Sequence, residues 1–236
     1  MNPDVLFIME IGELETLLDL QNRLLHAGCH LPFHEWVRGA DTHRHIALLT
    51  RLPILSKDSQ NNVPFVLGGK PQLVARGFLD VTLDAGWLGP VRILGAHLKS
   101  RRVVPDFDQA QFRLREATLL RQKIDKALAA HPDLKLIVLG DFNDLKNSPP
   151  IRTLIGSPGT PQSLADITLR DCNGETWTHY WKPADEYSRI DYIFLSQSLL
   201  PFLNTSRSAI AYPPNWELAS DHRPIYITLQ PPDLSQ

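Results

Sequence analysis

The sequence predicts an α/β protein built from two packed β-sheets flanked by helices. Apolar runs typical of buried strands recur along the 236 residues, and two segments carry apolar residues at the spacing of an amphipathic helix. Several predicted strands follow one another without a helix between them, which favours two packed sheets over a single doubly wound sheet. The proline pairs are interpreted as parts of loops and not as a linker between domains, so we expect one domain over residues 1–236.

The predicted elements follow the apolar pattern along the chain. Strands are predicted, in order, over residues 5–8, 45–50, 79–83, 91–98, 134–139, 190–195 and 225–229. A helix is predicted over residues 13–27, where leucines occupy positions 14, 17, 18, 24 and 25. A longer helix is predicted over residues 108–130, where the apolar residues near one face are Phe112, Leu119, Leu120, Ile124 and Leu128.

Composition narrows the class of protein. With 43% hydrophobic and 21% charged residues, and no apolar run of about 18 residues, the chain has the composition of a soluble protein without a membrane span. A formal net charge of -2 does not favour a strong non-specific binder of duplex nucleic acid. Cys29 and Cys172 are interpreted as reduced apolar side chains. No export signal is recognisable, which favours the cytoplasm if Met1 is the true start.

Candidate catalytic residues lie where predicted strands end. Asp141 and Asn143 directly follow the run Leu-Ile-Val-Leu-Gly, and at period two they point to the same side of an extended chain. His97 lies at a strand end within Gly-Ala-His-Leu-Lys-Ser. Each has a structural alternative when taken singly, namely a Gly-Asp turn with an asparagine cap and a histidine that only packs.

Three acids and a second histidine occupy similar positions. Glu10 closes the first strand, with a helix N-terminal cap as its structural alternative. Asp221 and His222 precede the closing strand. Asp191 lies in an otherwise apolar strand, where an acid costs free energy unless a partner satisfies it. His222 is a candidate partner, because a carboxylate that accepts from one imidazole nitrogen leaves the other free as a base.

The joint pattern indicates a metal-assisted site. Strand ends fix the position of a side chain while the loops remain free to vary, so functional groups gather there. The oxygen donors Glu10, Asp141, Asn143 and Asp221 suit Mg²⁺, with Mn²⁺ as an alternative. Zinc is disfavoured, since nothing resembles His-x-x-x-His or paired cysteines.

Five segments together resemble the endonuclease/exonuclease/phosphatase superfamily, which includes deoxyribonuclease I and the apurinic/apyrimidinic endonucleases. They are NPDVLFIMEIG, GAHLKS, an intact GDFN, SRIDYIFLS and SDHRPI, and the resemblance covers nearly the whole chain. It implies the four-layer α/β/β/α sandwich of two packed mixed sheets found in deoxyribonuclease I. This agrees with the strand-rich pattern described above.

The resemblance also implies a metal ligand and a base. Glu10 would bind the metal, and Asp221 would bind it or lie beside it. His222 would act as the base on the water nucleophile. Asp191 would orient that imidazole.

Three further residues would act on the substrate by the same resemblance. Asp141 and Asn143 would position the nucleophile and the phosphate. His97 would touch a phosphate oxygen or protonate the leaving group. The metal and His97 would then offset charge on the phosphoryl oxygens while the base activates water.

The start of the chain departs from the family pattern. In the family, a strand upstream of the glutamate motif carries an asparagine that assists the metal. This chain begins nine residues before Glu10, and Asn2 is too close to replace that asparagine. We therefore expect an N-terminal truncation relative to the family. Because a lost interior strand exposes an unpaired edge, we expect lower stability and activity than in a version extended upstream.

The predicted function is Mg²⁺-dependent hydrolysis of phosphate esters, foremost by a phosphodiesterase or nuclease using a histidine-activated water. One alternative is a phosphomonoesterase or lipid-head-group phosphatase on the same fold, for which no dense Lys/Arg cluster is visible. Another is a truncated, catalytically weak remnant or binding protein. We expect a monomer that acts on a phosphate-ester substrate, with nucleic acid as one candidate.

Two segments that lie next to recognised motifs could also contact a substrate. Trp177 or Trp181 could stack on a base or sugar, with packing in the core as the alternative. Arg101 and Arg102 could contact phosphates, with solvated surface charge as the alternative.

Overall fold

The computed structural model describes residues 2–102 and 108–232. Within these residues the α-helices are α1 (Leu14–His26), α2 (Gln109–Ala130) and α3 (Pro149–Ile155). The strands are β1 (Val5–Ile11), β2 (Phe33–Val37), β3 (His45–Thr50), β4 (Ile54–Lys57), β5 (Pro64–Leu67), β6 (Lys70–Leu73), β7 (Leu79–Asp84), β8 (Pro90–Gly95), β9 (Leu136–Asp141), β10 (Leu164–Asp166), β11 (His179–Trp181), β12 (Glu186–Ser188), β13 (Asp191–Ser196), β14 (Leu203–Ile210) and β15 (Ile225–Leu229). In that part of the chain, no helix is both long and apolar enough to span a membrane.

The larger sheet has six strands in the order β10-β13-β9-β8-β7-β4. Its central pair, β8 and β9, is parallel, and the other pairings are antiparallel, so the sheet is mixed. Helix α2 makes the crossover between the two parallel strands, as such a pair requires. The ends of β8 and β9 therefore lie side by side at one edge of the sheet.

The smaller sheet has the order β1-β3-β2, with β14 and β15 forming a separate pair. The smaller sheet differs from the prediction of two mixed sheets, because both of its described pairings are antiparallel. Apolar side chains of β2 and β3 pack against those of β7, β8, β9 and β13, and residues of β1, β14 and β15 join the same cluster. This core holds the two sheets together.

Helices cover the outer faces of both sheets. The far side of the larger sheet packs against α2 and α3. The far side of the smaller sheet packs against α1, with the buried Leu17 among its contacts. The predicted four-layer α/β/β/α sandwich is therefore confirmed. Both cysteines are free, but only Cys29 is buried, so the interpretation of Cys172 as a packed apolar residue is wrong.

The predicted elements are largely present, and their ends differ in ways that matter for the site. The long helix begins at Gln109, because Asp108 caps it by accepting from the N–H groups of Ala110 at 2.9 Å and Gln111 at 3.2 Å. Strand β8 ends at Gly95, so His97 lies beyond the strand in which it was predicted. Strand β9 extends to Asp141, so this acid belongs to the sheet.

Two glycines allow the layers and strands near this edge to approach closely. A Cβ atom at Gly95 would lie 2.3 Å from the Phe7 ring, which comes from the other sheet. A Cβ atom at Gly140 would lie 1.8 Å from the carbonyl oxygen of Ala96, and the φ of Gly140 is +143°. No other residue type fits at either position without displacing its neighbour.

Candidate active site

The backbone places His97 beside Asp141. Past the end of β8, the N–H of Ala96 donates to Leu139 O at 3.1 Å, and the N–H of Leu98 donates to Asp141 O at 3.0 Å. His97 is thereby held next to the last residue of β9. Its Nε2 lies 3.4 Å from Asp141 Oδ2, and both side chains are buried.

A turn brings Asn143 back onto Asp141. The backbone N–H of Asn143 donates to Asp141 Oδ1 at 2.7 Å, and its Nδ2 donates to Asp141 Oδ2 at 2.8 Å and to Leu98 O at 3.0 Å. Asn143 has a φ of +52°, in the left-handed region. The prediction of an extended chain is therefore wrong here, and the two side chains meet because the chain turns.

Asp191 lies directly opposite Asp141 in the ladder between β13 and β9. The hydroxyl of Thr178 accepts from the backbone N–H groups of Ile190 and Asp191, both at 3.1 Å, and fixes the start of β13. The Nδ1 of His222 lies 2.9 Å from Asp191 Oδ2. The structure thus brings together the two residues predicted as partners, although a long stretch of chain separates them.

Burial and mutual charge shift the pKa values of the three central groups. Burial and the charge of Asp191 raise the pKa of Asp141. Burial lowers the pKa of His222, but Asp191, Asp141 and Asp221 outweigh it and raise that pKa to about 9. Burial and the nearby positive charges, foremost that of Arg76, hold the pKa of His97 well below its usual value.

Two arginines that the sequence did not single out for the site lie near these groups. Arg76 is almost fully buried, donates to Leu98 O at 3.2 Å and lies 3.4 Å from Asp41 Oδ2. Arg44 lies 3.6 Å from the same carboxylate and acts on His97 electrostatically. Both lie outside the five recognised motifs, and an isolated arginine before a strand carries no local signal of its role.

Glu10 approaches the site from the smaller sheet. It lies in β1 at a register shift, with a φ of +57°, and not at the N-cap of α1, which is Glu13. The neighbouring Met9 sulfur accepts from the Asp141 N–H at 3.0 Å, so β1 touches the end of β9. The Glu10 carboxylate is half-exposed and lies 3.4 Å from Arg44 Nε.

Asp221 lies on another side of the site, next to a histidine without a predicted chemical role. The Nε2 of His179 is 3.7 Å from Asp221 Oδ2, and the rings of His179 and His222 are 4.6 Å apart. His179 lies in the segment Thr-Trp-Thr-His-Tyr-Trp, which was considered only for its aromatic residues. Glu10 and Asp221, the two predicted metal ligands, therefore have different neighbours.

The residues fit a hard divalent cation by their donor chemistry. Oxygen donors of Glu10, Asp141, Asn143 and Asp221 are of the type that Mg²⁺ binds. The carboxylates around the site are those of Glu10, Asp41, Asp141, Asp191 and Asp221. The cationic groups beside them are Arg44, Arg76 and His222. Negative groups outnumber positive ones, so a divalent cation would offset the excess charge.

The other candidate contact residues lie at the surface. Arg223 stacks 3.4 Å from the centroid of the Trp177 ring, and Tyr187 meets the same ring at 4.8 Å. Trp177 is therefore partly buried against Arg223 and Tyr187 and lies outside the apolar core clusters, whereas Trp181 is 47% exposed. Arg101 is exposed and lies 3.4 Å from Glu186 Oε1. Arg102 is exposed as well.

Residues 1–222 match the family model described as "Endonuclease/Exonuclease/phosphatase family". The human Nocturnin catalytic domain, solved with a sulfate anion, is 19% identical with a TM-score of 0.67, covering 96% of this chain and 82% of that chain. Beta toxin from Staphylococcus aureus is 16% identical with a TM-score of 0.67, covering 97% and 87%. The 3′ phosphatase NExo from Neisseria, bound to a product DNA hairpin, is 17% identical with a TM-score of 0.63, covering 97% and 89%. No curated protein matches the chain.

Proposed function

Because the chain belongs to the endonuclease/exonuclease/phosphatase family, whose members are hydrolytic enzymes, we propose that it is a Mg²⁺-dependent phosphodiesterase of the nuclease type. The observation that carries the proposal is the 2.9 Å contact between Asp191 and His222 beside the buried Asp141. A carboxylate, an imidazole and a neighbouring acid at adjacent strand ends form an arrangement suited to activating water.

His222 is the base in this proposal. The Nδ1–H of His222 donates to Asp191, which fixes the ring. Because the pKa of His222 is raised to about 9, Nε2 carries a proton in most chains near pH 7, and it acts as the base in the deprotonated fraction, which grows as the pH approaches 9. Water adds through its oxygen to the phosphorus atom, and its proton passes to Nε2 of His222. The ester P–O bond on the opposite side of phosphorus breaks, and the leaving oxygen departs with the bonding electron pair.

In this proposal, His97 and Arg76 act on the phosphoryl oxygens, and Asn143 fixes the acid beside them. Burial and the positive charge of Arg76 keep His97 neutral near pH 7, so it acts as a hydrogen-bonding group and not as a source of protons. Asn143 fixes the Asp141 carboxylate through two hydrogen bonds. Arg76 adds positive charge from a buried position, where electrostatic stabilisation is strongest, although the carboxylate of Asp41 beside it offsets part of that charge.

Glu10 and Asp221 would hold the divalent cation. When bound, Mg²⁺ supplies positive charge that offsets the negative charge building up on the phosphoryl and leaving oxygens. Glu10 reaches the site from the smaller sheet through the contact of Met9 with Asp141. Asp221 comes with His222 from the segment before β15.

The charge of the site favours a phosphodiester over a phosphomonoester. A monoester carries nearly one more negative charge than a diester near neutral pH. Arg44 and Arg76 are already paired with the carboxylate of Asp41. The relatives with this fold include a 3′ phosphatase solved with DNA and a sphingomyelinase, so the fold alone does not select the substrate.

Hydrolysis of two chromogenic substrates tests the proposal. With Mg²⁺, we expect the chain to cleave bis-p-nitrophenyl phosphate with a higher kcat/KM than p-nitrophenyl phosphate. We expect His222→Asn to lower the diester kcat/KM by about 10²- to 10⁴-fold, because the base is lost. His131→Asn, at an exposed histidine after α2, is the matched control. Preference for the monoester would replace the proposal with a phosphatase, and no turnover of either substrate would indicate a binding protein.

A further inference from the structure

The proposed base and two side chains beside it form a group with mixed nitrogen and oxygen donors. Among residues 2–102 and 108–232, His179, Asp221 and His222 offer ligand atoms that all lie within 4.8 Å of one another. Tetrahedral zinc ligands lie about 3.4 Å apart at the usual bond lengths of about 2.0–2.1 Å. The His179 Nε2 and Asp221 Oδ2 atoms, at 3.7 Å, are already close to that separation. The side chain of Asp221 is 69% exposed, so it can rotate and shorten the remaining distances between the ligand atoms.

The backbone fixes the three residues relative to one another. His179 and His222 face each other in an antiparallel bridge. On either side of this bridge, the N–H of Tyr180 donates to Asp221 O at 3.0 Å and the N–H of Arg223 donates to Thr178 O at 2.6 Å. The backbone hydrogen bonds therefore hold the residues that carry the donors close together. Such preorganisation is what a metal site needs.

Both imidazoles present the same nitrogen to the group. The Nδ1 of His222 is held by Asp191 at 2.9 Å, and the Nδ1 of His179 lies 3.3 Å from Ser188 Oγ. Their Nε2 atoms are left for a ligand. In metal sites, a ligating histidine nearly always gives its other nitrogen to a carboxylate, carbonyl or water, because that contact sets the tautomer and ring orientation. His222 meets this requirement because its Nδ1 contacts the Asp191 carboxylate, and His179 meets it because its Nδ1 contacts the Ser188 hydroxyl.

The surrounding charges favour a cation. Three carboxylates, those of Asp221, Asp191 and Glu186, act on His179 electrostatically, and the positive charge of His222 opposes them. Two imidazole nitrogens with one carboxylate suit zinc and similar transition metals, whereas Mg²⁺ prefers oxygen donors alone. The donors of this group therefore favour zinc or a similar transition metal, whereas Mg²⁺ is the ion expected at Glu10.

We infer that His179, Asp221 and His222 form an inhibitory site for Zn²⁺ or a similar transition-metal ion. An ion bound there occupies Nε2 of His222, the atom that takes the proton from water, and it also takes Asp221 away from Mg²⁺. Zn²⁺ therefore stops hydrolysis by capturing the base. The inhibitory consequence depends on the proposed function, whereas the binding site does not.

Direct binding tests the site without reference to activity. Calorimetric titration of the full chain with Zn²⁺ in the presence of Mg²⁺ is expected to show one tight site. We expect His179→Gln, which keeps a polar side chain beside Ser188, to weaken it at least about tenfold, and His131→Gln to leave it unchanged. X-ray absorption of the zinc-loaded wild-type chain is expected to show two imidazole ligands, which needs no variant to fold. No zinc binding, equal binding by His179→Gln, or fewer than two imidazoles would overturn the site.

Inhibition tests the regulatory consequence. With Mg²⁺ and bis-p-nitrophenyl phosphate, and with each chain measured relative to its own rate without Zn²⁺, we expect His179→Gln to need at least about tenfold more Zn²⁺ for half inhibition than the wild type. Equal inhibition of the two chains would show that zinc acts elsewhere and would sink the inhibitory role. If neither chain hydrolyses the diester, the proposed function fails, together with the inhibitory role that depends on it, while the binding and absorption results still decide whether the metal site exists.

Discussion

Among single residues, Asp191 has the most demanding position. It is buried, faces Asp141 across the ladder, and accepts from His222. A buried carboxylate beside another acid costs free energy unless positive charge compensates it, and the imidazolium form of His222 does so. Such an arrangement is retained at a cost in stability when it serves chemistry.

Replacing Asp191 by asparagine separates its catalytic and structural effects. An amide cannot stabilise the imidazolium, and its NH₂ group favours the wrong tautomer of His222, so we expect the diester kcat/KM to fall by about 10²- to 10⁴-fold. The repulsion with Asp141 and the ion pair with His222 are lost together, so their effects on the free energy of unfolding in urea oppose each other, and that free energy should change far less than kcat/KM does. Asp133→Asn, at an exposed acid before β9, is the control. An active Asp191→Asn chain would remove this residue from the mechanism.

Among the elements, helix α2 does more than cover the sheet. Its Glu116 is fully buried and accepts from the backbone N–H groups of Ala75 at 2.8 Å and Lys99 at 2.7 Å. Its Arg113 donates to the carbonyl oxygens of Lys99 at 3.3 Å and Ser100 at 3.1 Å. An outer helix thus fixes the two segments that carry the buried arginine and the first histidine of the site.

The pH dependence of stability reports on Glu116. Burial raises its pKa to about 7 from 4.5, although the two backbone hydrogen bonds and nearby positive charges oppose this. The folded state therefore binds the proton more tightly than the unfolded chain. The corresponding stability, on the order of 3 kcal/mol, is fully present below pH 4.5 and is lost as pH rises through about 7.

We expect Glu116→Gln to remove this pH-dependent component, because the amide does not titrate. Urea unfolding at several pH values between 4.5 and 7 measures it as the difference in slope between the variant and the wild type. Glu15→Gln, at an exposed acid in the first turn of α1, should keep the wild-type slope. Identical slopes for all three chains would mean that Glu116 is not the titrating group.

For the whole molecule, the site lies where the two sheets meet. Glu10 comes from the smaller sheet, and Asp141 and Asp191 come from the larger one. A cation bound by groups from both sheets would link two layers that otherwise contact each other mainly through apolar side chains. Binding to the folded chain alone must then raise its stability by mass action.

Thermal unfolding with and without Mg²⁺ measures this coupling. We expect Mg²⁺ at about a hundredfold excess over its Kd to add about 3 kcal/mol, and a chelator to reverse the effect. Glu10→Gln should abolish most of this gain because it removes a predicted ligand, whereas Glu15→Gln should preserve it. A gain that is unchanged in Glu10→Gln would place the cation elsewhere.

Much of the fold and several site residues could be predicted from the sequence, because the signals are local. The strand His45–Thr50 and the long helix have apolar patterns that burial imposes directly. Of the strands in the described residues, eight were missed, namely β2, β4, β5, β6, β10, β11, β12 and β14. Six of them have only three or four residues, too few for a pattern, and the eight-residue β14 is mostly polar. The expectations of one domain, a monomer and a truncated start stay predictions.

By itself the sequence determined the sandwich class and the identity of the residues at the strand ends, because hydrophobic periodicity and short motifs are properties of neighbouring residues. Only the tertiary structure decided which groups touch. It turned Asn143 back onto Asp141, brought Arg76 to the site, and set His179 against His222. Such contacts depend on strand register and layer packing, which join segments that carry no mark of one another along the chain.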